Sequence, residues 1–179
     1  MEPALVSLTI DIPACTACKA CELACSFIKQ GHYSPSHSRI QVLQVYEEGV
    51  NVPIVCVNCE SAPCMDICPT EAITRDDKLG IVSIEGDLCT ACGECVEVCP
   101  YGAIHIPEKS DIALMCDLCG GDPACVPSCI YGALKFEHTP DTVYVAIEHD
   151  FTNVPGEERS WAVAEDLAAQ VRLDWEVQP

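Results

Sequence analysis

Apolar and polar positions alternate at the start of the chain, where Val6, Leu8, Ile10 and Ile12 stand on one side against Leu5 and Ser7 on the other, the period of a strand. The same period returns at Ile40, Val42 and Val45, and again at Val50, Val52 and Ile54, on either side of Glu47–Gly49. That pattern predicts a hairpin, and Pro53 assigns its second strand to a sheet edge. Shorter hairpins are predicted over residues 73–84, turning at Asp76–Gly80, and between His105–Ile106 and Ile112–Met115. A last strand at Val143–Ile147 is expected to pair with Leu134–Phe136. Beyond Pro155 and Gly156 the period changes: Ser160 can cap a helix in which Trp161, Ala164, Ala168, Val171 and Trp175 form one stripe. Glu165, Asp166, Gln170 and Arg172 lie off it. The helix has two uses open to it, packing back on the body or docking onto another subunit through its two tryptophans.

Between these elements fall sixteen cysteines in four runs of four. Cys89, Cys92, Cys95 and Cys99 follow the spacing C-x2-C-x2-C-x3-C, with Pro100 after the last. Cys15, Cys18, Cys21 and Cys25 repeat it; Cys56, Cys59, Cys64 and Cys68 widen the middle gap to four residues, and Cys116, Cys119, Cys125 and Cys129 widen it to five. Three thiolates on one tight loop can close on one face of a small inorganic cube. The fourth, one helical turn or about 6 Å further along, can serve a second cube. Gly120, Gly121 and Pro123 bend the longest loop, as close approach of backbone to an inorganic core requires. The repeating unit is cysteine loop, short helix, hairpin.

At 179 residues the chain is one or two small domains, which we divide into a body at residues 1–149 and a tail at 150–179. Its body is expected to be organised without a large apolar core, metal binding supplying the folding free energy, so that the apo chain is largely unfolded. Two other uses of sixteen cysteines fit less well. A disulfide scaffold needs export, and the opening MEPALVSLTI shows no export signal, so a cytoplasmic location is expected. Four-cysteine zinc sites usually come as two separated C-x2-C pairs, and a third cysteine two residues on crowds a tetrahedron. The formal charge of −19, from 28 acidic and 9 basic residues, argues against nucleic acid and anionic membrane surfaces. It also disfavours adding electrons, although hydrogen bonds to sulfur and solvent exposure act on the potential too. No apolar run approaches the roughly 20 residues of a membrane span. Nothing resembles a phosphate-cradling glycine loop, a histidine zinc helix or a nucleophile with its base, so no catalytic residue is expected. His32, His37, His105, His138 and His149 are scattered and read as surface residues; Tyr101 and Tyr131, in equivalent places after two cysteines, read as packing against clusters.

With PTEAI after Cys68, PYGAI after Cys99 and the run CDLCGGDPACVPSC, the stretch from Ile10 to about Ile147 resembles the four-cluster ferredoxin-like electron-transfer subunits of molybdenum and tungsten enzymes. These include subunits of dimethyl sulfoxide reductase, formate dehydrogenase and formate hydrogenlyase, and small subunits of tungsten aldehyde oxidoreductase and benzoyl-CoA reductase systems. The resemblance implies an α+β fold of two pseudo-symmetric lobes, each like a bacterial ferredoxin with two 4Fe-4S clusters. It implies four ligand sets: Cys15, Cys18, Cys21 with Cys129; Cys56, Cys59, Cys64 with Cys99; Cys89, Cys92, Cys95 with Cys68; and Cys116, Cys119, Cys125 with Cys25. The inner lobe would come from runs 56–68 and 89–99, the outer from runs 15–25 and 116–129. Ser26, where the other ferredoxin-like run has proline, leaves the ligands intact and puts only the local turn in doubt. The implied partner is a catalytic molybdenum or tungsten pterin subunit, with a tungsten enzyme of the aldehyde oxidoreductase or benzoyl-CoA reductase kind favoured, and further electron-transfer subunits beside it. The alternatives are a free-standing polyferredoxin shuttle and an iron-sulfur accessory or maturation protein.

Overall fold

Cysteines every third or fourth residue leave no room for long elements, and the computed structural model, which describes residues 6–108, 110–138 and 151–177, is built of short ones. In chain order these are β1 (Val6–Ile10), α1 (Ala20–Gln30), β2 (Ile40–Val45), β3 (Val50–Val55), α2 (Pro63–Ile67), β4 (Ile73–Arg75), β5 (Val82–Ile84), α3 (Glu94–Val98), α4 (Cys125–Ser128), β6 (Leu134–His138) and α5 (Gly156–Val177). The strands form three antiparallel pairs, β1 with β6, β2 with β3 and β4 with β5, giving a small α+β fold. Every strand in a two-stranded ladder is an edge, so Pro53, opposite Val42, sits where a missing N–H does little harm.

Leu134–His138 finds its partner in β1, with Leu8 opposite Phe136, so the start of the chain is stitched to the segment that follows the fourth run. The partner expected for it, Val143–Ile147, lies outside the described residues. The hairpin expected around residues 105–115 shrinks to a single bridge, His105 with Leu114. The next hydrogen-bonded pair would join residues 107 and 112, and Pro107 has no N–H to donate; the Ser110 hydroxyl donates to the Ile112 carbonyl at 2.8 Å instead.

The core is larger than the composition implies. Leu8, Ile40, Val42, Val52, Val55, Leu118 and Leu167 belong to one contiguous buried cluster that also takes in cysteines of all four runs. Much of it comes from the β2–β3 hairpin and from α5, which packs back on that hairpin and on α3. The helix starts at Gly156, four residues before Ser160, so Ser160 is not its cap but a residue of the second turn, 8% exposed. Glu157 and Glu158 in the first turn face the positive end of the helix dipole. The buried stripe is also rotated from the expected one: Val163, Ala164, Leu167, Ala168 and Val171 are buried, whereas Trp161 is 47% exposed. The side chain of Trp175 lies outside the described residues. What turns the helix is Arg159, 1% exposed, whose guanidinium occupies the contact with α3.

Two contacts hold these parts together. Gly102 has φ +59, and a Cβ built there would lie 2.3 Å from the Ser160 backbone nitrogen and 2.7 Å from its Cα. Backbone cannot yield as a flexible side chain does, so glycine is required both by conformation and by space. Asp117 accepts from Lys29 Nζ of α1 at 2.8 Å and from Arg39 Nη1 at 2.5 Å, joining the approach to β2 with the fourth run. Burial pushes the Asp117 carboxyl up, but the Lys29 hydrogen bond and the charges of Arg39 and Lys29 outweigh it and hold it below the ordinary value.

Gly102→Ala should lift the start of α5 from the body, costing on the order of 1–3 kcal/mol. Hydrogen exchange should show faster amide exchange along α5 while β2 and β3 stay protected. Asp117→Asn leaves two half-buried cations short of a counter-charge and should destabilise the loaded protein by about 1–3 kcal/mol near neutral pH. Because the folded carboxyl is depressed, its contribution is complete above the unfolded carboxylate value and fades as pH falls through the lower folded one. Denaturant melts of the loaded proteins at neutral pH should therefore separate wild type from variant in full, and the gap should not widen as pH is lowered toward the range where the clusters are lost.

Candidate metal centres

Each cysteine run folds in the same way because closing three thiols on one point needs a backbone reversal. The residue just before the second cysteine has positive φ in all four runs: Ala17 at 53°, Asn58 at 52°, Ala91 at 52° and Leu118 at 49°. None is glycine, so each loop stores local strain of the kind found at functional sites. The turn aims backbone N–H groups inward. Asn58 N donates to Cys56 Sγ at 3.5 Å and Leu118 N to Cys116 Sγ at 3.4 Å, two residues on in each case. A short helix then follows. Cys21 and Cys25 lie one turn apart in α1, Cys64 is inside α2 with Cys68 as its C-cap, Cys95 and Cys99 repeat this in α3, and Cys125 and Cys129 do so in α4. Ser26 in place of proline lets α1 run on to Gln30, where α2 and α3 stop at the fourth cysteine.

The structure places cysteines of different runs beside one another. Cys15, Cys18, Cys21 and Cys129 line one small recess, with Tyr131 at its wall. Cys68, Cys89, Cys92 and Cys95 line a second. The other two groups are deeper. Burial and then the neighbouring Cys99 sulfur push Cys64 up to about 12. Cys99 acts in the same sense on Cys56 and Cys59, in both cases behind burial. Burial pushes Cys116 up to about 12, with Cys25 and Cys119 among the charges that add to it. Burial also raises Cys125, and Cys116, Cys25, Cys21 and Cys119 contribute in that order. Cys68 moves the other way. Burial pushes it up, yet hydrogen bonds from the Thr70 hydroxyl and from the N–H groups of Thr70, Ala72 and Ile73 leave it below the ordinary thiol value.

These donor sets suit an iron-sulfur core. Buried thiols that repel one another as thiolates need a cationic centre to hold their charge, and binding it would release their protons. Further N–H groups reach sulfur from outside the runs: Arg39 N to Cys25 at 3.3 Å, Ala103 N to Cys99 at 3.4 Å and Ala113 N to Cys89 at 3.4 Å. Such donors are one of the levers that set cluster potential.

Several residues here escaped the sequence reading. Glu22, inside the first run and 4% exposed, accepts from Val42 N at 2.6 Å and fastens α1 to the β2–β3 hairpin. Asn58 accepts from Val82 N at 2.9 Å and ties the second run to β5. Neither could be told from an ordinary polar loop residue. His105, read as a surface residue, is half-buried with Nε2 3.2 Å from the Ser36 carbonyl oxygen, and burial lowers its pKa. His37 is also half-buried, its Nδ1 2.9 Å from Ser34 Oγ, while His32 is exposed. The side chains of His138 and His149 lie outside the described residues. Tyr101 packs on the core, and burial and then Cys59 and Cys99 raise its hydroxyl. Among the described residues no helix is long and apolar enough to cross a membrane.

Known proteins match the chain in sequence over the cysteine runs. A profile described as a 4Fe-4S dicluster domain matches residues 48–139, and one described as a 4Fe-4S binding domain matches residues 13–28. Over 102 residues the chain is 42% identical to the aliphatic sulfonate oxidoreductase polyferredoxin-like subunit of Pyrococcus furiosus, covering 57% of this chain and 58% of that one. Over 94 residues it is 40% identical to formate hydrogenlyase subunit 2 of Escherichia coli K12, covering 52% and 44%. It therefore spans less than two thirds of the length of these relatives. A solved structure of the active site complex BamBC of benzoyl coenzyme A reductase with benzoyl-CoA superposes with a TM-score of 0.46 at 27% identity, covering 74% of this chain and 79% of that one. With its dicluster match extending over more than half of the sequence, this chain is a ferredoxin-like iron-sulfur protein and belongs to the 4Fe-4S dicluster domain family.

Proposed function

We propose that the chain is an electron-transfer subunit that passes single electrons through four 4Fe-4S clusters to or from a catalytic oxidoreductase subunit. The ligand sets we assign are Cys15, Cys18, Cys21 and Cys129; Cys116, Cys119, Cys125 and Cys25; Cys56, Cys59, Cys64 and Cys99; and Cys89, Cys92, Cys95 and Cys68. The observation that carries the reading is how the cysteine helices pack: α1, with Cys21 and Cys25, lies against α4, and α2 lies against α3. Across these contacts Cys21 neighbours Cys125 and Cys95 neighbours Cys64, while Cys116 neighbours Cys56, and we read the four groups as a single file. The two exposed cysteines, Cys18 and Cys92, belong to the groups at its two ends. A file with an exposed cysteine in each end group and none in the middle ones is what a relay between two partners needs.

When bound, 4Fe-4S clusters supply one-electron redox chemistry. The chain's own residues hold them, exclude water from the inner pair of groups with the aliphatic core, and aim N–H donors at sulfur. The two lobes follow from the assignment, an inner one from runs 56–68 and 89–99 and an outer one from runs 15–25 and 116–129. Residues 1–149 are the four-cluster body and 150–179 its tail. Sixteen thiols kept for metal suit a reducing compartment, and we place the protein in the cytoplasm. The relative in Pyrococcus furiosus is named as a polyferredoxin-like subunit of an oxidoreductase, which supports the subunit role. For the partner we propose a molybdenum or tungsten pterin enzyme, in particular a tungsten enzyme of the aldehyde oxidoreductase or benzoyl-CoA reductase kind.

Cys25→Ser tests the exchange of the fourth ligand. Anaerobically prepared wild type should carry about sixteen irons, and the variant should lose up to about four of them or change the EPR signal of one cluster. That cluster should be the one also changed by Cys119→Ser, whereas a change shared with Cys18→Ser would overturn the assignment. Isolation of the native protein from its own cells tests the partner. A larger subunit carrying tungsten or molybdenum should copurify and show up in the metal analysis. A chain that isolates alone and exchanges electrons with several unrelated oxidoreductases would be a free-standing shuttle instead.

A further inference from the structure

In a chain with 28 acidic and 9 basic residues, where the few cations are buried is informative. Arg159 is the largest of the fully buried side chains. Its Nη1 donates to the carbonyls of Val96, Glu97 and Cys99 at 3.4, 2.8 and 2.8 Å, its Nε to Phe151 at 2.8 Å, and its Nη2 to Thr152 and Val154 at 3.3 and 2.6 Å. All its donors are thus spent on backbone carbonyls. Among the described residues the ion pairs are Lys19 with Glu22 and Asp117 with Lys29 and Arg39, so no carboxylate neutralises Arg159. Anchoring the tail accounts for the hydrogen bonds. It does not account for keeping a full charge out of water, which is costly when unpaired.

The charge lies against Cys99, whose carbonyl it binds at 2.8 Å. A second arginine approaches the same cysteine group from the opposite run: Arg75 Nη2 donates to the Cys59 carbonyl at 2.5 Å and its Nη1 to the Gly80 carbonyl at 2.8 Å, again with no carboxylate among the described residues. Adding an electron to a metal centre adds negative charge, and a fixed cation in a low-dielectric interior favours that form far more than a surface cation would. We propose that Arg159 is a redox-tuning residue, supplied by the tail helix, that raises the reduction potential of the cluster held by Cys56, Cys59, Cys64 and Cys99. The inference rests on the ligand assignment made above. It makes α5 part of the relay and not only a buttress.

The test is an EPR-monitored redox titration of the full-length, fully loaded protein carrying Arg159→Gln or Arg159→Lys. Gln should lower the potential of one cluster by about tenfold in its reduction equilibrium, about 59 mV for one electron, leaving the others in place. Lys, which keeps the charge but loses the planar fork, should restore most of it. Four unchanged potentials in a fully loaded Gln variant would overturn the inference and leave Arg159 as an anchor. If the Gln variant does not load, Arg159→citrulline, introduced by semisynthesis, removes the charge while keeping the planar shape. Its potential should fall as expected for Gln, and an unchanged potential would overturn the proposal. Cys99→Ser separates the two layers of argument. If it alters no cluster, the ligand assignment fails. If it alters a cluster whose potential Arg159→Gln leaves alone, the assignment stands and the tuning role fails.

Discussion

Four thiols must meet at one place while their backbone stays hydrogen-bonded, and the rest of the fold follows from how the chain does this. A residue in the left-handed region before the second cysteine turns the loop inward, and one turn of helix carries the chain from the third cysteine to the fourth. Those turns are strained at non-glycine residues, and the helices, at four or five residues in three of the four runs, are too short to stand alone. Both persist because other parts of the molecule hold them: Asn58 bonds to β5, Glu22 to β2, and Arg159 gathers the carbonyls at the end of α3. The strands never need to exceed a hairpin, since their work is to fasten one loop to the next.

What could be read from the sequence was whatever has a fixed spacing. The four runs announced themselves by their spacing, and the hairpins at Ile40–Val55 and Ile73–Ile84 by alternation around a polar turn. What could not be read was set by partners distant in the chain. The strand after the fourth run could be foreseen, but not that its mate lies at Val6–Ile10, more than a hundred residues earlier. The helical period of the tail was visible, yet its buried face was taken to include Trp161. A stripe of large apolar residues is a fair guide only when the apolar residues are what the helix buries, and here an arginine occupies the contact and turns the tryptophan outward.

Arginine buried among carbonyls leaves no mark in composition, since one residue in a tail looks like any surface cation until the chain is folded. The same holds for Glu22, which reads as one acid among 28. Both lie within or against the cysteine helices and both meet backbone groups, not opposite charges alone. The cysteine runs were therefore legible and the residues around them were not, because spacing is local and support is not.

The overall charge and the local charge pull in opposite directions, and their separation is a consequence of the fold. A surface dominated by carboxylates keeps the protein apart from anionic partners, and across more than about 8 Å of saline its field is largely screened. Inside, screening fails, so a few cations outweigh many distant anions. Lys29 and Arg39 stand near the group containing Cys25 and Cys116, Arg75 and Arg159 near the group containing Cys59 and Cys99. These are the two middle groups in the order traced above, the ones with no exposed cysteine. Of the two, the first shares Asp117 between its cations, whereas the second has arginines bonded to carbonyls alone, so the net positive field is greater at the second. Net charge read from composition thus predicts encounter with partners, and says little about the field that a buried electron would feel.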